Sequence, residues 1–174
     1  MPVTTKTPVT NQDFMNAGNF VVVVEKFNNI AFFTDAVDIP GISLNHPEQP
    51  NPFANLHRVA DRIQYDTLSL SFRVNEDLSN WNEIYAWMVG ATFPEDYPQY
   101  IAATSPSEKE KVLFTTITVT ILNNYKKPLK NITFYDCLPT ALSGFTMTTS
   151  DSSIEPVNSN VTFVFTHFKV ENLV

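Results

Sequence analysis

Two stretches of the chain alternate apolar and polar residues with a period of two, and no helix satisfies that period. Residues 64–74 put Leu68, Leu70, Phe72 and Val74 on one side, and Tyr65, Thr67, Ser69, Ser71 and Arg73 on the other. Residues 112–122 put Leu113, Thr115, Ile117, Val119 and Ile121 on one face, and Phe114, Thr116, Thr118, Thr120 and Leu122 on the other. A strand with one apolar and one polar face belongs to an antiparallel sheet that meets the core on one side only.

Other segments join these two. The β-branched run Phe20–Val24 predicts a strand covered on both faces. Asn28-Asn29 predicts a turn into a second strand through Ile30–Phe33, forming a hairpin that ends at the Asp38-Ile39-Pro40-Gly41 turn. Ile132–Cys137 reads as a strand interrupted by Leu138-Pro139 and resumed at Ser143–Met147. Asn158-Ser159-Asn160 predicts a turn before a closing strand, Val161–Val170. One helix is expected from Trp81 to Gly90, with Asp77 or Ser79 as its cap and Gly90 as its stop. Trp81, Ile84, Tyr85, Met88 and Val89 recur at spacings of three and four, flanked by Trp87. Trp81, Tyr85 and Met88 are the expected packing anchors.

Residues 1–18 are polar and predict a flexible N-terminal arm, and 19–174 read as a single β domain with long loops at 41–62 and 92–111. The expected fold is mainly β, a sandwich or open barrel with one flanking α-helix. At 174 residues the chain is long enough to bury one core.

Composition narrows the function. A formal net charge of −7 does not suit a duplex-DNA binder, which displaces counterions with cationic groups. An acidic wall would instead let nucleic acid pass without adhering. Cys137 is the only cysteine, so neither an internal disulfide nor a cysteine-rich zinc site can form. Four glycines against twelve prolines leave little material for a phosphate loop, and no such motif is present. The start, Met1 followed by Pro and Thr, carries no apolar signal run. The apolar stretches fall short of the roughly 20 residues that span a bilayer. The expectation is a soluble protein made in the cytoplasm, with no membrane partner.

No set of catalytic residues converges. Cys137 and His167 would make a nucleophile and base, but an apolar run usually makes a thiol an inert packing group. Asp35 with Asp38, and Glu95 with Asp96, flank turns and read as solvated. His46 and His57 share the 41–62 loop with Glu48 and Asp61, yet their spacing matches no recognised ligand pattern. Neither a metal nor a cofactor is expected. Lys126, Lys127 and Lys130 read as a solvated hairpin tip.

The order of segments resembles the tail-tube proteins of contractile-tailed bacteriophages. The strand from Asp61 to Val74 runs through Asn75–Asn80 into Trp81 and the helix, which is similar to the central part of that family. Val37–Gly41 resembles its turn before a long loop, Ile132–Gly144 its broken strand, and Val161–Phe168 its terminal strand. The resemblance covers about residues 19 to 170 in order.

The resemblance implies a non-enzymatic virion protein of the tail, assembled in the host cytoplasm. It implies homohexameric rings that stack into a tube, with sheath and baseplate proteins as partners and phage DNA passing through the lumen without sequence-specific binding. The main expectation is the tube subunit. The alternatives are a baseplate tube initiator or a tail-terminator ring of the same fold and, more remotely, a carbohydrate-binding β-sandwich. Loop residues Pro47, Pro50, Pro52, Phe53 and Leu56 are expected at the inter-ring contact. The lumen-facing candidates are Tyr65, Thr67, Ser69, Ser71, Thr116, Thr118 and Thr120. Strand edges closed by neighbouring copies agree with these expectations physically, because an open edge invites pairing with another chain.

Overall fold

The computed structural model of the chain describes residues 13–27, 33–59, 62–92, 113–148 and 156–173. In chain order these form β1 (Phe20–Val24), β2 (Thr34–Asp38), β3 (Ile42–Leu44), β4 (Glu48–Gln49), β5 (Leu56–His57), β6 (Ile63–Tyr65) and β7 (Leu68–Arg73). There follow α1 (Ser79–Thr92), β8 (Thr115–Leu122), β9 (Pro128–Leu142), β10 (Asn158–Val164) and β11 (His167–Asn172). The fold is mainly β, as the alternation requires, with one large antiparallel sheet in the order β1-β8-β9-β10-β7-β2 and β11 beside β9.

The spine of this sheet is a long bent ribbon. β9 runs antiparallel to β11 through its first part and to β10 through its last. β8 covers the other side of the first part, and β1 pairs with β8. At the far end β7 pairs with β10, and β2 with β7. The ribbon changes direction at Asp136, whose φ of 56° lies in the left-handed region that Asp tolerates better than most side chains. Across from it, Phe165 and Thr166 join β10 to β11, and the Thr166 N–H donates to the Tyr135 carbonyl.

Both halves turn their apolar faces to one core. Val22, Val24, Ile117, Val119 and Phe134 come from one half, and Leu68, Leu70, Phe72, Val161 and Phe163 from the other. Ile84 and Trp87 of α1 seal that core, and Trp87 Nε1 donates to the Leu113 carbonyl. Phe134 sits at the bend, with ring centroids 5.1 Å from Phe165 and 5.4 Å from Phe168. No helix among the described residues is long and apolar enough to cross a membrane.

Several expectations are corrected. β1 is exposed on one face, at Val21 and Val23, rather than covered on both. It pairs with β8 and makes no hairpin with the next strand, and residues 28–32 lie outside the described ones. β9 passes through Leu138-Pro139 unbroken. Among the described residues, beyond Cys137 it has a ladder partner only on the β10 side, so a residue without an N–H is tolerated there. Ser143–Met147 forms no strand, and Asn158–Asn160 begins β10 instead of turning. Helix α1 continues past Gly90 to Thr92, because a glycine lowers helix propensity without ending a helix that packing holds. Most of the 92–111 loop and of the N-terminal arm falls outside the described residues.

Candidate functional site: a projecting arm and an open strand edge

Residues 41–59 and 62–66 form an arm of two antiparallel tiers where the sequence suggested a loop without period. Ile42, Ser43 and Leu44 of β3 pair with Tyr65, Gln64 and Ile63 of β6, and the Asp66 N–H donates to the Gly41 carbonyl at the base. Farther out, Glu48 and Gln49 of β4 pair with His57 and Leu56 of β5. The Arg58 N–H extends this ladder to the Pro47 carbonyl, and the Arg58 guanidinium binds the Gln49 amide oxygen. Prolines at 47, 50 and 52 kept the period out of view, since they break the ladder at the ends of each tier. At Gly41 a Cβ would lie 2.6 Å from Asp66 Oδ2, so a larger residue there would make the exposed Asp66 side chain shift.

The arm buries little of itself. Ile42, Leu44, Leu56, Val59 and Ile63 are exposed, and Phe53 between β4 and β5 is 98% exposed. Two-residue strands are marginal alone. Of the residues expected at an axial contact, Pro47, Pro50, Pro52, Phe53 and Leu56 are all exposed, on or beside the outer tier. At the root of the arm Tyr65 meets Phe165 and Phe168 of the body at 5.5 Å.

A second feature is the outer edge of β1. Leu122 N–H donates to Asn19 O and Glu25 N–H to Thr116 O, so the odd-numbered residues of β1 spend their backbone groups on β8. Phe20, Val22 and Val24 therefore point their N–H groups outward, away from β8. Within the described residues β1 has no second strand beside it; the Phe27 N–H bonds only to the Val24 carbonyl.

The lumen candidates divide into two groups. Thr116, Thr118 and Thr120 alternate with the core residues of β8 and are half-buried, with Thr120 Oγ1 donating to Asn131 Oδ1. Ser69 and Ser71 do the same on β7, with Ser69 Oγ donating to Asn160 Oδ1. Thr67 is exposed, and Tyr65 is half-buried in the aromatic cluster at the arm's root. The β7 and β8 groups lie on opposite sides of a shared core, so they do not form one wall.

Helix α1 is held differently from the expected stripe. Tyr85 is 44% exposed and stacks on Trp81 at 5.5 Å, while Trp81 and Met88 are partly buried at the core margin. The deepest side chains are Asn80, Ile84 and Trp87. Asn80 is fully buried. Its Oδ1 accepts from the N–H groups of Asn75 and Trp81, and its Nδ2 donates to the Arg73 carbonyl at 2.8 Å. Asn75 returns the bond to the Asn80 N–H, and Asp77 accepts from that of Ser79. Three side chains thus satisfy three N–H groups of the first turn and tie it to the end of β7. A polar residue at a buried position has no periodic signature, which is why Asn80 was missed.

The catalytic candidates do not assemble. Cys137 is buried, burial pushes its thiol up to about 12, and it donates only to the Phe134 carbonyl. His167 stacks on Tyr135 instead. Asp35 pairs with Arg73 rather than with Asp38, while Glu95 and Asp96 lie outside the described residues. Lys126 at the 123–127 hairpin, with φ 61°, reaches back to Asn19 Oδ1 at 2.6 Å and is a structural tie. The loop histidines do converge: His46, Glu48 and His57 bring one ligand atom each to within 4.8 Å of one another, while Asp61 lies outside the described residues.

Among the described residues, one core, an unpaired β1 edge and an exposed arm leave the chain with surfaces suited to contact with other molecules. The chain is 28% identical over 163 residues to the tail tube terminator protein of Enterobacteria phage T4, spanning 90% of this chain and 88% of that one. Its fold matches the tube-terminating cap of the anti-feeding prophage with a TM-score of 0.69, at 13% identity over 98% of this chain and 99% of the other. It matches a protein of the sheath–tube complex of an extracellular contractile injection system with a TM-score of 0.66, at 14% identity over 93% and 94%. No family model matches the chain. The chain thus resembles a tail tube terminator in sequence and shares the fold of contractile-tail tube proteins, which supports a tail-tube-associated structural role.

Proposed function

We propose that this protein is a tail tube terminator subunit, which forms a ring of identical copies at the end of the tail tube in the virion. The observation that carries this reading is the end-to-end sequence similarity to a tail tube terminator, which favours the terminating ring over the tube subunit as the more specific role. The outer edge of β1, unpaired among the described residues, supports the ring. Its outward N–H groups need partners once buried, and an edge strand of a neighbouring copy supplies them. A head-to-tail contact of this kind closes into a ring when the rotation per subunit allows it, and six copies is the number the family resemblance implies. The role is non-enzymatic. The arm carries the axial contact, with Phe53 and Leu56 as apolar anchors on the ring below.

Negative-stain microscopy of the purified protein tests the reading. A terminator gives discrete rings that remain single or paired at high concentration. Long hollow tubes would instead assign the chain to the tube itself, and monomers at every concentration would overturn both roles.

A further inference from the structure

We propose that the outer tier of the arm is a divalent-metal site, taking one zinc-class cation per chain through His46 Nε2, Glu48 Oε1 and His57 Nδ1. The ribbon geometry creates it. His46 and Glu48 are two residues apart along an extended segment, so they share a face. His57 is the direct cross-strand partner of Glu48. Glu48 Oε1 lies 4.0 Å from His46 Nε2 and 3.8 Å from His57 Nδ1, and the two imidazole rings meet edge to face at 4.9 Å. Ligand atoms in a tetrahedral zinc site lie about 3.4 Å apart, given metal–ligand bonds of about 2.1 Å. Small rotations of three exposed side chains close that gap.

The surroundings favour a cation. The other Glu48 oxygen accepts from Asn55 Nδ2 at 3.1 Å, which orients the carboxylate and leaves Oε1 facing the imidazoles. Outer hydrogen bonds of this kind hold metal ligands in place. The nearest cationic side chain in the tier, Arg58, is engaged by Gln49, and its position next to His57 puts it on the opposite face of the ribbon. Two imidazoles and a carboxylate form a borderline donor set suited to Zn²⁺, and three protein ligands leave a fourth position for water. The ion cross-links β4 to β5 where the ladder is only two residues long, so it stiffens a tier that has no core of its own.

Calorimetric titration of the full-length, chelator-treated protein with zinc chloride tests this. One ion per chain is expected. His46→Ala and His57→Ala each weaken binding by more than about 100-fold, and Asn55→Ala by about 10-fold, with circular dichroism unchanged. In the unmodified protein, zinc protects His46 and His57, but not His167, from diethyl pyrocarbonate. Absence of saturable binding, affinity unchanged in both histidine variants, or equal modification of all three histidines with and without zinc would each overturn the site.

Discussion

Replacing Asn80 with alanine removes the one buried polar side chain that joins β7 to α1. Three bonds disappear: the acceptor for Asn75 N–H at 3.3 Å, the acceptor for Trp81 N–H at 2.9 Å, and the donor to Arg73 O at 2.8 Å. A bond between neutral groups contributes about 1 kcal/mol net, and an orphaned buried partner costs about 1–3 kcal/mol. The Asn75 bond is long and adds least. The Trp81 and Arg73 groups lose partners in a site with no exposure at Asn80. The expected loss is therefore about 3 kcal/mol. Asn80→Asp separates the terms. It keeps the Oδ1 acceptor but sets a carboxylate oxygen against the Arg73 carbonyl, and costs at least as much as alanine at neutral pH. Urea unfolding at fixed protomer concentration, followed by far-UV circular dichroism, reads both variants. A loss under about 0.5 kcal/mol for Asn80→Ala would refute the assignment of the helix start to this network.

Three further outcomes follow from the same structure. Phe134→Ala, at the bend of the ribbon against Phe165 and Phe168, lowers stability by about 3–5 kcal/mol in the same unfolding assay, since a fully buried Phe leaves a cavity. The Cys137 thiol, pushed up to about 12 by burial, stays unreactive to a thiol reagent at pH 8 until urea is added. The unfolded thiol ionises near its ordinary value, so the native state loses stability as pH rises from there toward 12. Phe53→Asp with Leu56→Asp leaves the unfolding free energy within about 0.5 kcal/mol of the parent, because both side chains are exposed, and abolishes docking onto tubes in a co-sedimentation assay.

Strands with one wet face were legible in the sequence. Leu68, Leu70 and Phe72, and Ile117 and Val119, are buried as their alternation required. Helix α1 was legible for the same reason. Pairing was not, because period two states which face a residue takes and nothing about which strand lies beside it. Hence β1 was assigned to a hairpin and lies against β8. The arm was hidden because strands of two and three residues are too short to show a period, and the prolines between them read as loop. The His46–Glu48–His57 cluster depends on the register of that arm, so residue spacing alone did not reveal it. At Asp136 the backbone takes a left-handed turn three residues before the proline that the sequence pointed to.

Cryo-electron microscopy of the purified assembly, at a resolution that separates strands, tests the central claim most directly. The account predicts a closed ring of identical copies in which the outward N–H groups of Phe20, Val22 and Val24 bond to an edge strand of the adjacent protomer. A ring held together by other surfaces, with that edge still facing solvent, would contradict it, as would a protein that never leaves the monomeric state.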